Sequence, residues 1–140
     1  MTQAMLEQLQ AIDPEVLTTI VRQDQRSPTF EITQWAVDRL SSKGIINPDG
    51  LFRFSGYGRA GDVSRPWSVV LKIVRKPDDQ QNPRDIWYWK RELLAAQCQL
   101  LEHLRGPIAA PRIYAISEHA DNGWLWMEHI VGRTQGSFMF

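Results

Sequence analysis

The chain has 140 residues, enough for one compact domain with a real core and too few for two ordinary ones. Lysine plus arginine equals aspartate plus glutamate at 16 each, so the charge balance argues against a nucleic-acid or membrane surface. A lone cysteine, Cys98, excludes an internal disulfide, and no apolar run reaches the roughly 18 residues of a membrane span. The start lacks a signal-peptide core, so the expectation is a cytoplasmic protein.

Residues 2–12 and 14–22 read as helices. Asp13-Pro14-Glu15 is a start signal: an N-cap acid, proline at the first helical position, then an acid near the positive helix end. Val16, Leu17, Ile20 and Val21 form a stripe at helical spacing, and polar Arg22 to Pro28 is expected to break the helix. Phe30 to Leu40 is a first strand. Turn formers follow through Gly50, and Leu51 to Ser55 alternates apolar and polar as a second strand.

Gly56-Tyr57-Gly58-Arg59-Ala60-Gly61 matches G-x-G-x-x-G, a phosphate-binding pattern when a helix follows it. Here a strand follows, at Trp67 to Val74, and only ten residues separate Gly61 from Lys72. That gap cannot supply the extra strand and turn of a kinase glycine loop, so Gly56 to Pro66 reads as a turn or long hairpin loop.

The Trp67 to Val74 strand turns Val69, Leu71 and Ile73 to one face and Val70, Lys72 and Val74 to the other. Both faces are mostly apolar, as in a central strand covered on two sides. A charge there is costly unless it is paired or meets an anion.

A long helix is expected from Asn82-Pro83 to about Leu104. Ile86, Leu93, Gln97, Leu100 and Leu104 lie near one face, with Leu94 and Leu101 beside it. Pro111 to Ser117 and Trp124 to Ile130 are two more strands, joined by a hairpin turn at Glu118 to Gly123. His119-Ala120-Asp121 starts like a phosphotransfer loop, but Trp126 stands where the asparagine belongs, so it reads as a hairpin tip. No Cys/His cluster has metal-ligand spacing. The expected fold class is α+β, a five-stranded antiparallel sheet on one long helix, preceded by N-terminal helices.

Lys72 lies twenty residues before Glu92 of that helix. A strand lysine held by a helix glutamate and facing nucleotide phosphates is a recurrent kinase device. Its context resembles the aminoglycoside and choline phosphotransferase family over roughly residues 30–132. The resemblance rests on Leu40 to Gly44, Asn47, Leu51 to Phe54, Val69 to Lys72, Tyr88 to Glu92, Pro111 to Tyr114 and Leu125 to Gly132.

This resemblance implies a kinase-like nucleotide-binding lobe at 30–132, after a helical segment at 1–29 and before a tail at 133–140. It implies that Ser41, Ser42, Lys43 and Gly44 cover the phosphates of ATP, which the family uses as Mg-ATP. Val70 would line the adenine pocket, Met127 would sit at its back, and Lys72 with Glu92 would hold the phosphates. The carbonyl of Glu128 and the amide of Ile130 would meet the adenine edge.

The family's catalytic base and metal ligands belong to a following lobe that this sequence does not contain, so no catalytic residue is expected here. The implied function is the ATP-binding lobe of a small-molecule O-phosphotransferase, inactive alone. A catalytic lobe or a second copy of the chain would cover its hinge surface. The alternative is a non-catalytic interaction module that keeps the fold.

Overall fold

Thr2–Gln10 (α1) and Pro14–Gln25 (α2) form the helices that the N-terminal pattern demands. The computed structural model describes residues 2–40, 50–76, 82–84, 90–98 and 111–130. Asp13 caps α2, its side chain accepting a hydrogen bond from the Glu15 amide at 3.0 Å. The helix runs three residues beyond the expected stop. Arg22, Gln23 and Gln25 are polar but good helix formers, so their polarity marks a polar, partly buried face and not an end. The end comes at Arg26, in the left-handed conformation, whose amide reaches back to the Arg22 and Gln23 carbonyls. Leu17, Ile20 and Val21 are buried as the stripe requires, whereas Val16 is 44% exposed.

Five strands follow: Glu31–Arg39 (β1), Leu51–Ala60 (β2), Val63–Arg75 (β3), Ile113–Glu118 (β4) and Asn122–Glu128 (β5). They form one antiparallel sheet in the order β1-β2-β3-β5-β4, so the lysine strand is central. The expected long loop over Gly56 to Pro66 is absent. β2 and β3 instead stay paired to Ala60 and Val63, and only Gly61 and Asp62 make the turn. Gly61 has φ +63 and leads a two-residue hairpin turn, where a positive φ favours glycine and matches the strand twist. The glycine motif is therefore strand. At the other hairpin, the His119 amide donates to the Asn122 carbonyl at 2.8 Å, and His119 to Asp121 form a tip as expected.

Strand alternation divides the sheet as read from the sequence. Phe52, Phe54, Val69, Leu71, Ile73 and Trp126 form one core with Leu9 of α1 and Leu17, Ile20 and Val21 of α2. Two hydrogen bonds clasp α2 to the sheet: Arg22 Nε to the Phe30 carbonyl at 2.9 Å, and the Tyr114 hydroxyl to Asp24 at 2.6 Å.

Where one long helix is expected, the described residues show a seven-residue helix, Arg91–Gln97 (α3), with Cys98 as its C-cap. It starts at Arg91 and not at Asn82. Asn82 to Arg84 form a turn in which the Asn82 side chain accepts from the Arg84 amide at 3.0 Å. Leu93 is fully buried on α3, while Leu94 and Gln97 are exposed. Ile86, Leu100, Leu101 and Leu104 lie outside the described residues. Among those described, no helix is long and apolar enough to cross a membrane.

Candidate functional site

β3 carries Lys72 between two aligned neighbours, Leu51 of β2 and Leu125 of β5. Two residues back, Val70 aligns with Arg53 and Met127. Aligned residues project to the same side, so Val70, Lys72, Leu125 and Met127 share a face opposite α1 and α2. Val70 is 6% exposed and Leu125 2%, while Lys72 and Met127 are half-buried. The result is an apolar wall that carries Lys72, with Arg53, paired to Asp38 at 2.8 Å, beside Val70 on the same face. Leu125 belongs to this wall although its strand pattern alone did not single it out.

The same face receives α3. Leu93 lies against Gly123, where any Cβ would collide with the Leu93 side chain. Gly123 aligns with Val74, two residues beyond Lys72. A second tie joins the start of α3 to the end of β4: Lys90 Nζ lies 2.7 Å from Glu118 Oε2. The hydrogen bond from Lys90 is the main cause holding the Glu118 carboxyl below its ordinary range. α3 therefore brings the backbone of Glu92, in its first turn, to the Lys72 side of the sheet. The Glu92 side chain, like Ser41, Ser42, Lys43 and Gly44, lies outside the described residues.

At the end of β5 the chain leaves the sheet. The Glu128 amide donates to the Arg112 carbonyl at 2.8 Å, and its carboxylate accepts from the Arg112 amide at 3.1 Å. Arg112 also reaches Glu128 Oε1 at 3.4 Å. Ile130, two residues on, is 58% exposed. Val70, Lys72 and Met127 are thus brought together, with Glu128 and Ile130 following at the rim.

A polar group beside this rim has no counterpart in the sequence pattern. Ser68 Oγ and His129 Nδ1 lie 2.7 Å apart, and Asp24 accepts from Tyr114. Burial, then the Arg53 charge, hold His129 below its ordinary pKa against the pull of Asp24. Burial foremost, then the hydrogen bond to Asp24, raise Tyr114 well above the usual tyrosine range. These pairs join residues 61 and 90 positions apart, which no local spacing signals. Among the described residues, no group of His, Cys, Asp and Glu could hold a metal ion.

Tyr114→Phe is expected to cost about 1–2 kcal/mol at neutral pH, the worth of a partly buried hydrogen bond to a carboxylate. Because the folded state raises the tyrosine pKa, the stabilisation is whole below pH ~10 and fades as pH rises beyond it. Urea midpoints between pH 7 and 11 should therefore fall more steeply above pH ~10 for the native chain than for Tyr114→Phe.

The sequence matches no protein-family profile and no curated protein. Among solved structures, the chain is similar to the bifunctional kinase-methyltransferase WbdD, at 20% identity and a TM-score of 0.34. That match covers 73% of this chain and 21% of the other, so the chain spans about a fifth of that protein's length.

Proposed function

We propose that the chain is the nucleotide-binding lobe of a small-molecule O-phosphotransferase, of the aminoglycoside and choline phosphotransferase kind. One observation carries the reading: α3, inserted between β3 and β4, is seated on the sheet face that bears Val70, Lys72 and Met127. These residues suit a nucleotide. An apolar wall of Val70, Leu125 and Met127 fits a purine, and a half-buried lysine fits the anion beside it.

In this reading Mg-ATP supplies the phosphoryl group, and the protein positions it. Lys72 answers the phosphate charge, and Glu92 on α3 holds the ammonium in place. Ser41 to Gly44 present backbone amides to the phosphates, with Gly44 permitting close approach. The Glu128 carbonyl and Ile130 amide meet the adenine edge. No residue of this chain is assigned as catalytic base.

Titration of the chain with Mg-ATP tests the proposal. Weak binding at most is expected of the chain alone, because half the nucleotide site belongs to the family's other lobe. Lys72→Met should weaken it about tenfold or more, as loss of one charge-assisted contact does. Unchanged affinity in Lys72→Met would remove the lysine from the site. A homo-oligomer that buries Ile130 and ignores ATP would favour the interaction module instead.

A further inference from the structure

An open pocket of ≈ 530 Å³ lies where β5 ends and the β2–β3 ribbon continues past it. Asp24 of α2, Ser55 and Tyr57 of β2, Ser68 of β3, and Glu128 and His129 line it. None of Val70, Lys72 or Met127 does. Ser68 stands four residues from Lys72 along β3, roughly 13 Å at strand rise. The pocket shares Glu128 with the rim of the proposed nucleotide site but takes no side chain from its apolar wall, so an inference about it stands without that reading.

We infer that this pocket binds a small molecule bearing a guanidinium group. The charges come first. Glu128 is answered by Arg112 at 3.4 Å, and nearby Arg53 is answered by Asp38 at 2.8 Å. Asp24 forms no ion pair among the described residues. Its Oδ1 accepts from the Tyr114 hydroxyl at 2.6 Å and its Oδ2 from the Gln25 side chain at 3.0 Å. A carboxylate offers about four lone-pair sites, so two remain for a ligand.

The rest of the lining adds acceptors and no fixed positive charge. Ser55 and Ser68 present hydroxyl oxygens, His129 is biased to its neutral form, and no lysine or arginine lines the pocket. A guanidinium carries five donors and no acceptor, the complement of such a wall. Its flat face has a partner in Tyr57, which is 49% exposed at the rim. The chain's own arginines take such positions: Arg65 lies over Phe30 at 5.7 Å and Arg112 over Tyr114 at 5.9 Å. A compact ammonium carries only three donors and no flat face, so it matches the carboxylate and hydroxyls but cannot stack on the ring as a guanidinium does.

The test is NMR titration of the full chain with L-arginine, L-lysine and L-citrulline, the last replacing the guanidinium by a neutral urea of the same shape. Arginine should shift the Trp67 indole N–H saturably, with lysine and citrulline at least about tenfold weaker. Asp24→Asn, which keeps an acceptor for Tyr114, should cost about tenfold in arginine affinity. Tyr57→Ala, at an exposed position, should cost about threefold. Equal affinity for arginine and citrulline, or for arginine and lysine, overturns the proposal. So does the absence of a saturable shift, or native affinity in both variants. The three-ligand comparison needs no variant and decides the matter even where Asp24→Asn fails to fold.

Discussion

Replacing Phe54 by alanine should lower the free energy of unfolding by about 3–5 kcal/mol, the usual cost of truncating a buried aromatic ring. Phe54 is fully buried and sits between two other rings. Its centroid lies 5.6 Å from Trp35, stacked at 26°, and 5.0 Å from Trp126, tilted at 57°. It also aligns with Val37 on one side and Val69 on the other. The ring therefore bridges the outer strand β1 to the centre of the sheet, and its loss leaves a cavity walled by groups that other contacts hold. Against a total of about 5–15 kcal/mol for a small domain, this removes a large fraction of the stability. Urea denaturation followed by tryptophan fluorescence measures it. A loss below about 1 kcal/mol would mean that β1 is held to the sheet by backbone pairing alone.

Gly56→Ala is expected to be far more damaging than Gly61→Ala in the same motif, costing about 3 kcal/mol or more. A Cβ there would meet the Gln34 carbonyl oxygen and lie 2.7 Å from the Trp35 Cα, both backbone atoms of β1. Backbone cannot swing aside as a side chain can, so the β1–β2 pairing must open. Gly61→Ala makes the contrast. Nothing lies within 4 Å of its Cβ, but φ is +63, so the cost is the conformational penalty alone, about 1–2 kcal/mol. Thermal unfolding of the two variants, with Mg-ATP titration beside it, separates the roles. A Gly56→Ala chain that keeps its native midpoint but loses nucleotide binding would return the motif to phosphate recognition.

The two faces of the β3 strand were legible from its residues: Val69, Leu71 and Ile73 entered the core, and Lys72 came out beside Val70. The order of five strands and the helix between the third and fourth were legible too. The reach of β2 was not. Tyr57, Gly58 and Arg59 look like loop, because glycine and exposed polar residues mark turns in most settings. Here two adjacent strands supply the pairing that the residues do not favour by themselves. The length of α2 is hidden for a related reason: Arg22 to Gln25 are polar, and polarity on a helix face resembles a helix end in sequence.

Alternation along β3 is a steric property of the extended backbone, so the sequence alone placed one lysine among apolar neighbours on one face of a central strand. What it could not place was the company that lysine keeps across the sheet. Leu125 and Met127 join it through strand register, and Leu93 seats α3 nearby through the missing side chain of Gly123. The Asp24–Tyr114 and Ser68–His129 pairs arise from the same docking of distant elements. Such contacts depend on which surfaces bury each other, and burial is settled only when all the elements pack at once.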